Sequence, residues 1–191
     1  MTIAFTTQPR WHSSAPRFFL RKLLLFLLAI ALLFLIMIFP LFSRLLILDA
    51  SAETILFSSS VRSNNQFVIS FIHSTNLTPV EDYYRIEENN TITLTETHFE
   101  SYSVGMPSEL SEGEVLELAD GKIIIKNMNR NYSQIDLRIG QLIANHHLLI
   151  NGKELDLANL SAPGALVRIK AANLSIFELL SGRFRPWKNN K

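Results

Sequence analysis

The chain has 191 residues, of which 48% are hydrophobic and 18% charged, and it contains no cysteine. That length suits one modest domain plus an attachment, and the apolar content excludes a disordered chain. Without cysteine, disulfides, thiolate chemistry and cysteine-ligated zinc are excluded as well. All 17 acids lie at or after Asp49, against 13 of the 18 Lys and Arg, so the chain from there onward carries −4. Phosphate contacts need clustered bases, and no nucleic-acid partner is expected of such a domain.

The first 22 residues hold Arg10, Arg17, Arg21 and Lys22 and no acid. Leu23 to Phe39 then reads LLLFLLAIALLFLIMIF, and no charge follows until Arg44. A run of about 20 apolar residues spans a bilayer core, where lipid offers the backbone no hydrogen bonds and a helix is required. The spacing predicts a membrane-spanning helix over 23–43, with Pro40 stopping or kinking it. The flanking bases keep residues 1–22 in the cytoplasm and send the rest across. A cleaved signal peptide is the rival, because Ala50-Ser51-Ala52 has the small residues of a cleavage site. Residues 44–53 read as a linker.

From residue 54 the period changes to that of strands. QFVISFIHS (66–74) puts Phe67, Ile69, Phe71 and His73 on one face. In TITLTETHF, Ile92 and Leu94 are expected inside, and Thr91, Thr93 and Thr95 outside. Three hairpins are predicted at Glu87–Asn90, Asp120-Gly121 and Asn151-Gly152, where Asn, Asp and Gly tolerate positive φ. Pro163-Gly164 marks a turn before the strand ALVRIKA, and SIFELLSG (175–182) a short helix capped by Ser175 and ended by Gly182. Eight or nine antiparallel strands predict an all-β domain over 54–182, a small sandwich or partly open barrel behind one N-terminal transmembrane helix. The tail 183–191 is basic: Arg183, Arg185 and Lys188, beside Trp187, suit either solvent or anionic lipid.

FIHSTNLTPVEDYYRI (71–86) is the stretch richest in reactive side chains. His73 and Ser74 are neighbours, and on a strand they point to opposite faces, so they cannot share a proton. If 74–80 is the loop, His73 stands opposite Glu81, Phe71 opposite Tyr83 and Ile69 opposite Arg85. A His73–Glu81 pair serves either to fix the register or to bind a partner. Eleven acids lie between Glu81 and Asp120 with Arg85 as the only base, which suits a solvated face or a cation site. No calcium-loop pattern and no nucleophile elbow occur. No catalytic residue, metal or cofactor is assigned. His146 and His147 are split across two strand faces and do not chelate one ion.

Three segments together, FIHSTNLTPVEDYYRI, THFESYSVGMPSE (97–109) and HHLLINGKELDLANLSAPGALVRI (146–169), resemble a prokaryotic family of unknown activity. That family is encoded beside, or fused to, permeases of TRAP transporters that use TAXI-type solute receptors. Its His-Ser, Pro-Val-Glu and Gly-x-Pro match His73-Ser74, Pro79-Val80-Glu81 and Gly105-Met106-Pro107; Val104 stands where many relatives have a small residue. The resemblance implies a single-pass protein of the cytoplasmic membrane, with its β-domain outside, that assists a TRAP-type permease or TAXI receptor and is not an enzyme. The contact edge it implies comprises His73, Ser74, Pro79, Glu81, Tyr83, Phe99, Gly105 and Pro107. The alternative is a cation- or small-ligand-binding envelope protein, or an enzyme, using His73, Glu81 and perhaps Glu100.

Overall fold

The computed structural model describes residues 15–181 apart from 63, 103, 104 and 108. A helix α1 (Ala15–Ile38) precedes twelve strands: β1 (Phe42–Asp49), β2 (Ile55–Ser60), β3 (Gln66–Ile72), β4 (Pro79–Ile86), β5 (Ile92–Phe99), β6 (Val115–Ala119), β7 (Lys122–Lys126), β8 (Arg130–Tyr132), β9 (Ile135–Arg138), β10 (His147–Ile150), β11 (Lys153–Asp156) and β12 (Leu166–Leu174). A short helix α2 (Ile176–Ser181) follows. Within α1, Phe18–Ile38 is long and apolar enough to cross a membrane and is exposed throughout. Its length and composition suit a membrane anchor or a signal sequence alike. The helix stops two residues before Pro40, whose preceding residue is barred from helical geometry.

The strands form two open antiparallel sheets, a sandwich and not a barrel. One has the order β2-β1-β12-β9; the other runs β11-β10-β3-β4-β5-β7-β6, with β8 also on β5. Their inner faces share one core, in which Leu45, Ile47, Val167 and Ile169 of the small sheet meet Phe67, Ile69, Ile92, Phe99, Ile125 and Leu148 of the large one. Phe67 stacks on Tyr84 with ring centres 5.1 Å apart.

β1 departs most from the sequence reading, which places residues 44–53 in a linker. Leu45 and Ile47 enter the main core, while Leu46 and Leu48 enter a second cluster with Leu174, Ile55 and Leu179. A strand buried on both faces loses polar alternation and reads as a plain apolar run. Here that run sits behind the anchor and looks like its tail. Only Phe39–Leu41 separate α1 from β1.

All three predicted hairpins form. Asp120 and Gly121 have φ of 51° and 75°, and Asn151 and Gly152 have 51° and 71°, the paired positive values that match strand twist. Asn90, in the 87–90 turn, is also left-handed at 64°. Gly164 makes its turn at 83° before β12. Ser175 caps α2: its Oγ accepts from the Glu178 amide at 3.1 Å, while its own amide donates to the Glu178 carboxylate at 2.8 Å. Gly182 and the basic tail lie outside the described residues.

Removing β1 strips the central strand of the small sheet and opens both clusters. A soluble fragment 42–181 is expected to melt cooperatively, whereas 54–181 should lack a cooperative transition by circular dichroism. A cooperative melt of the shorter fragment would contradict the role given to β1.

Candidate functional site

The β3–β4 hairpin is tighter than the sequence suggests. The His73 amide bonds the Thr78 carbonyl at 2.8 Å, so the loop is 74–77, and Ile72 pairs with Pro79. Pro79 is the first residue of β4, a position where a missing N–H costs no ladder bond. Placing Pro79 and Val80 in the loop shifts the register by three residues. Glu81 therefore stands opposite Ser70, Tyr83 opposite Val68 and Arg85 opposite Gln66. An odd shift also exchanges faces, so the expected His73–Glu81 pair does not form. His73 sits in the turn, where its Nδ1 accepts from the Thr75 and Asn76 amides at 3.3 and 3.5 Å.

Glu81 instead belongs to the outer face of the large sheet. One row of paired positions crosses seven of the eight strands, all but β8: Asp156, His147, Ser70, Glu81, His98, Ile124 and Glu117. At its centre Glu81 accepts from Lys122 Nζ at 3.0 Å and lies 3.7 Å from His98 Nδ1. The other ring nitrogen of His98 bonds Glu96. Tyr83 lies against the His98 ring at 4.6 Å between centres, and its hydroxyl is 3.5 Å from Glu81. The hydrogen bond to Glu81 raises the Lys122 pKa; burial, then the Glu81 charge, raises that of Tyr83. At the β10 end, His147 Nδ1 is 3.2 Å from Glu154. No further layer covers this face among the described residues.

His98 reaches this row because of a bulge. Tyr84 pairs with Leu94 but Tyr83 pairs with Glu96, so Thr95 is the extra residue. Thr95 Oγ donates to the Tyr83 carbonyl at 3.1 Å, and its own carbonyl accepts from the Met128 amide at 3.0 Å. Beyond the bulge the inward set of β5 changes from Ile92 and Leu94 to Thr97 and Phe99, and His98 turns outward. Thr93, expected outside, is buried and donates to Asn131 at 2.7 Å.

The row just behind, on the inner face, is Leu155, Leu148, Ile69, Asp82, Thr97 and Ile125, ending at the exposed Leu116 of the edge strand. Asp82 and Thr97 interrupt an apolar row. Thr97 donates to Asp82 at 2.6 Å and the Tyr84 hydroxyl lies 3.4 Å from its other oxygen. Burial holds the Asp82 carboxyl above the usual carboxylate range, against those hydrogen bonds and the charge of Arg130. Arg130 itself forks onto Glu114 at 3.1–3.2 Å, and the Ser111 amide, ahead of Arg130, keeps the Glu114 carboxyl low.

The other expected contact residues divide. Ser74 is exposed in the turn, and Asn76 ties that turn to the loop after β5 by donating to Ser101 Oγ at 2.8 Å and to its carbonyl at 3.2 Å. The His73 turn and the start of the loop after β5 are thus tied together. Phe99 itself is 1% exposed and belongs to the core, so it offers no contact surface. Gly105 has φ of 93°, and Met106 beside it packs onto the core ahead of the half-buried Pro107. The acids from 81 to 120 do not form one bare field. The strands that follow return Lys122 to Glu81, Lys126 to Glu117 and Arg130 to Glu114. Glu100, held in reserve for chemistry, lies near Lys122 only as a charge. His146 packs against Phe71 at the rim of the core, where burial lowers its pKa, and His147 faces out. Among the described residues no group of three or more His, Asp or Glu is arranged to hold a metal ion.

Two substitutions test this geometry. Because the Asp82 pKa is raised, its ionisation works against folding above that pKa and has no effect once pH falls below the unfolded value near 3.9. Asp82→Asn keeps the Thr97 bond and is expected to raise the melting temperature by a few degrees at pH 7, about 1 kcal/mol. The gain should shrink as pH falls toward 4, and a lower melting temperature at pH 7 would refute it. Gly105→Val meets no atom within 4 Å but must adopt a left-handed backbone. It should cost about 1–2 kcal/mol, and Gly105→Asn less; equal melting curves for wild type and the valine variant would remove the strain argument.

A family model described as a domain of unknown function (DUF1850) matches residues 67–157, a little under half of the chain. Searches of curated proteins and of solved structures give no match. The matched span runs from the second residue of β3 to the first residue past β11, and so contains the whole outer-face row.

Proposed function

We propose that this protein is a single-pass membrane protein whose anchor is retained and whose β-sandwich stands on the extracytoplasmic side of a prokaryotic cytoplasmic membrane as a non-enzymatic accessory to a TAXI-type TRAP solute transporter. One observation carries the anchor: cleavage at Ala50-Ser51-Ala52 would cut away β1, the strand on which both apolar clusters depend. That tripeptide is also a built turn. The Ser51 and Ala52 amides donate to Asp49 Oδ1 at 2.9 and 3.0 Å. A protease needs an extended, accessible segment, and this one is folded back between β1 and β2.

The same connection favours a partner in the membrane. Three residues join α1 to a central strand, so the sandwich has little freedom to lift or wander. Its reach above the bilayer is about 30 Å, the length of a nine-residue strand such as β12. A permease, or a receptor docked on one, lies within that reach. The outer row centred on Glu81, His98 and Lys122 suits recognition, since its charges are paired in advance and its polar groups are only half-buried. The transporter itself is supplied by the family resemblance of the three segments. A ligand site or catalytic centre built on His73 with Glu81 has no shared face to stand on.

The test is a mild-detergent affinity purification of the tagged full-length protein from its native membrane, with mass spectrometry of the protein and its companions. The expected result is a chain that retains residues 42–49 and brings a TRAP permease or TAXI receptor. The companion should be lost in a folded Glu81→Gln, Lys122→Ala double variant. A mature chain beginning after Ala52 would sink the anchor; absence of both transporter components, from membranes whose other complexes survive, would sink the accessory role.

A further inference from the structure

We propose that β6, the last strand of the large sheet, is a docking edge that takes an extended, basic segment of a partner protein as an added antiparallel strand. This contact is separate from the outer row and holds whether or not the partner belongs to a transporter.

The two sheets end in four strands, β2 and β9 in the small one and β11 and β6 in the large one. An edge strand leaves half of its main-chain N–H and C=O groups without a strand to bond, and soluble proteins close such edges with charge, bulges or cover. Three of the four follow that rule. β11 carries Lys153, Glu154 and Asp156, and its one apolar residue, Leu155, is buried. β9 carries Asp136 and Arg138, while its Ile135 and Leu137 pack on the core. β2 begins with Ile55, Leu56 and Phe57, all half-buried against the two apolar clusters. β6 differs: it reads VLELA, and its Val115, Leu116 and Leu118 are 51%, 38% and 74% exposed.

Two of these side chains continue rows that begin in the core. On the inner face Leu118 follows Phe99 and Ile123 across β5 and β7, and Leu116 follows Thr97 and Ile125. Phe99 and Ile125 are buried, so both rows pass from core to solvent within two strands. The small sheet has four strands against eight and leaves the inner face of β6 open.

Charge decides what this edge accepts. Glu109 and Glu112 precede β6, Glu117 lies within it and Asp120 follows it, and all four are exposed. The nearby bases Lys126 and Arg130 are held by Glu117 and Glu114. A second copy of this chain fits such an edge poorly. Antiparallel self-pairing over all five residues would set Leu116 opposite Leu118, but also Glu117 opposite Glu117, with the acids ahead of one strand beside Asp120 of the other. Like charges directly opposite are destabilising. A segment with alternating apolar residues and Lys or Arg toward both ends meets the same edge with apolar side chains beside Leu116 and Leu118 and a base near each acid. Main-chain bonds then supply the affinity, and the alternate side chains the specificity.

The test is hydrogen exchange on the full chain in nanodiscs of phosphatidylcholine, a neutral lipid that does not attract the probe. The probe is a capped nonapeptide of alternating valine and lysine, with a valine–glutamate nonapeptide as control. At about ten times its dissociation constant the basic peptide is expected to slow exchange over 115–119 about tenfold, and the acidic peptide to leave it unchanged. Leu118→Lys places a base on the inner face at an exposed position, and should abolish the protection without lowering the melting temperature. Glu109→Gln with Glu112→Gln should weaken binding several-fold, most at low salt. Equal protection by the two peptides, or protection that survives Leu118→Lys, overturns the inference. So does a lack of protection at millimolar peptide, or protection that spares β6. Protection without peptide that grows with the number of copies per disc means that a second copy takes the edge, and also overturns it.

Discussion

The structure depends on one strand that is buried on both sides. Leu45 and Ile47 bind the two sheets together, and Leu46 and Leu48 bind the small sheet to α2. Each such side chain contributes on the order of 2 kcal/mol on burial. Four of them in succession make β1 the element whose position fixes the others. Because only three residues separate α1 from β1, the apolar helix runs straight into the core of the domain. The fourth residue after the helix, Phe42, is already pairing with β12.

The arrangement of the outer face is a second-order consequence of the bulge at Thr95. Turn chemistry at 87–90 sets one register for the lower half of β4 and β5, pairing Ile86 with Ile92. Carried on unchanged, it would set Glu81 opposite Thr97 and put His98 into the core. One extra residue exchanges the two, so Thr97 meets Asp82 inside and His98 meets Glu81 outside. A single insertion thus decides both the polar interruption in the core and the charged row on the surface. Thr95 is suited to the position because its hydroxyl bonds the carbonyl across the strand.

What could be read from the sequence was what short-range chemistry dictates. Asn-Gly and Asp-Gly specify tight hairpins whatever surrounds them, and Pro-Gly and Ser-x-x-Glu mark a turn and a helix start in the same way. What could not be read depends on counting residues across space. Pro79 resembles a loop residue but begins β4, and that one assignment moved Glu81 away from Ser70 and toward His73. Phe99 looked available as part of a motif, although its parity after the bulge sends it inward. His98 and Lys122 carry no local signal. They are recognisable as partners of Glu81 only when the bulge and the β5–β7 pairing are both known. The acid run shows the same limit, since its counter-charges come from the strands that pair back upon it.

The span matched by the family model divides the sandwich in two. Residues 67–157 contain the large sheet, its outer row and β9, but not β1, β2 or β12. The inner face of that sheet carries Phe67, Ile69, Val80, Ile92, Phe99, Ile125, Leu148 and Ile150, all within 2% of complete burial. Left uncovered, that face is a contiguous apolar surface far larger than soluble monomers expose. In this chain the matched span is therefore covered by a second layer that lies mostly outside it. The layer is built around β1 and β12, which flank the span in sequence, and it is joined to the apolar helix α1 at one end and to α2 at the other. The part inside the match is the layer whose outer face bears the Glu81–His98 row. The part outside the match is the layer that continues into α1 and α2. The charged outer row and the junction with α1 thus belong to different sheets of one sandwich, joined by a core that neither can complete alone.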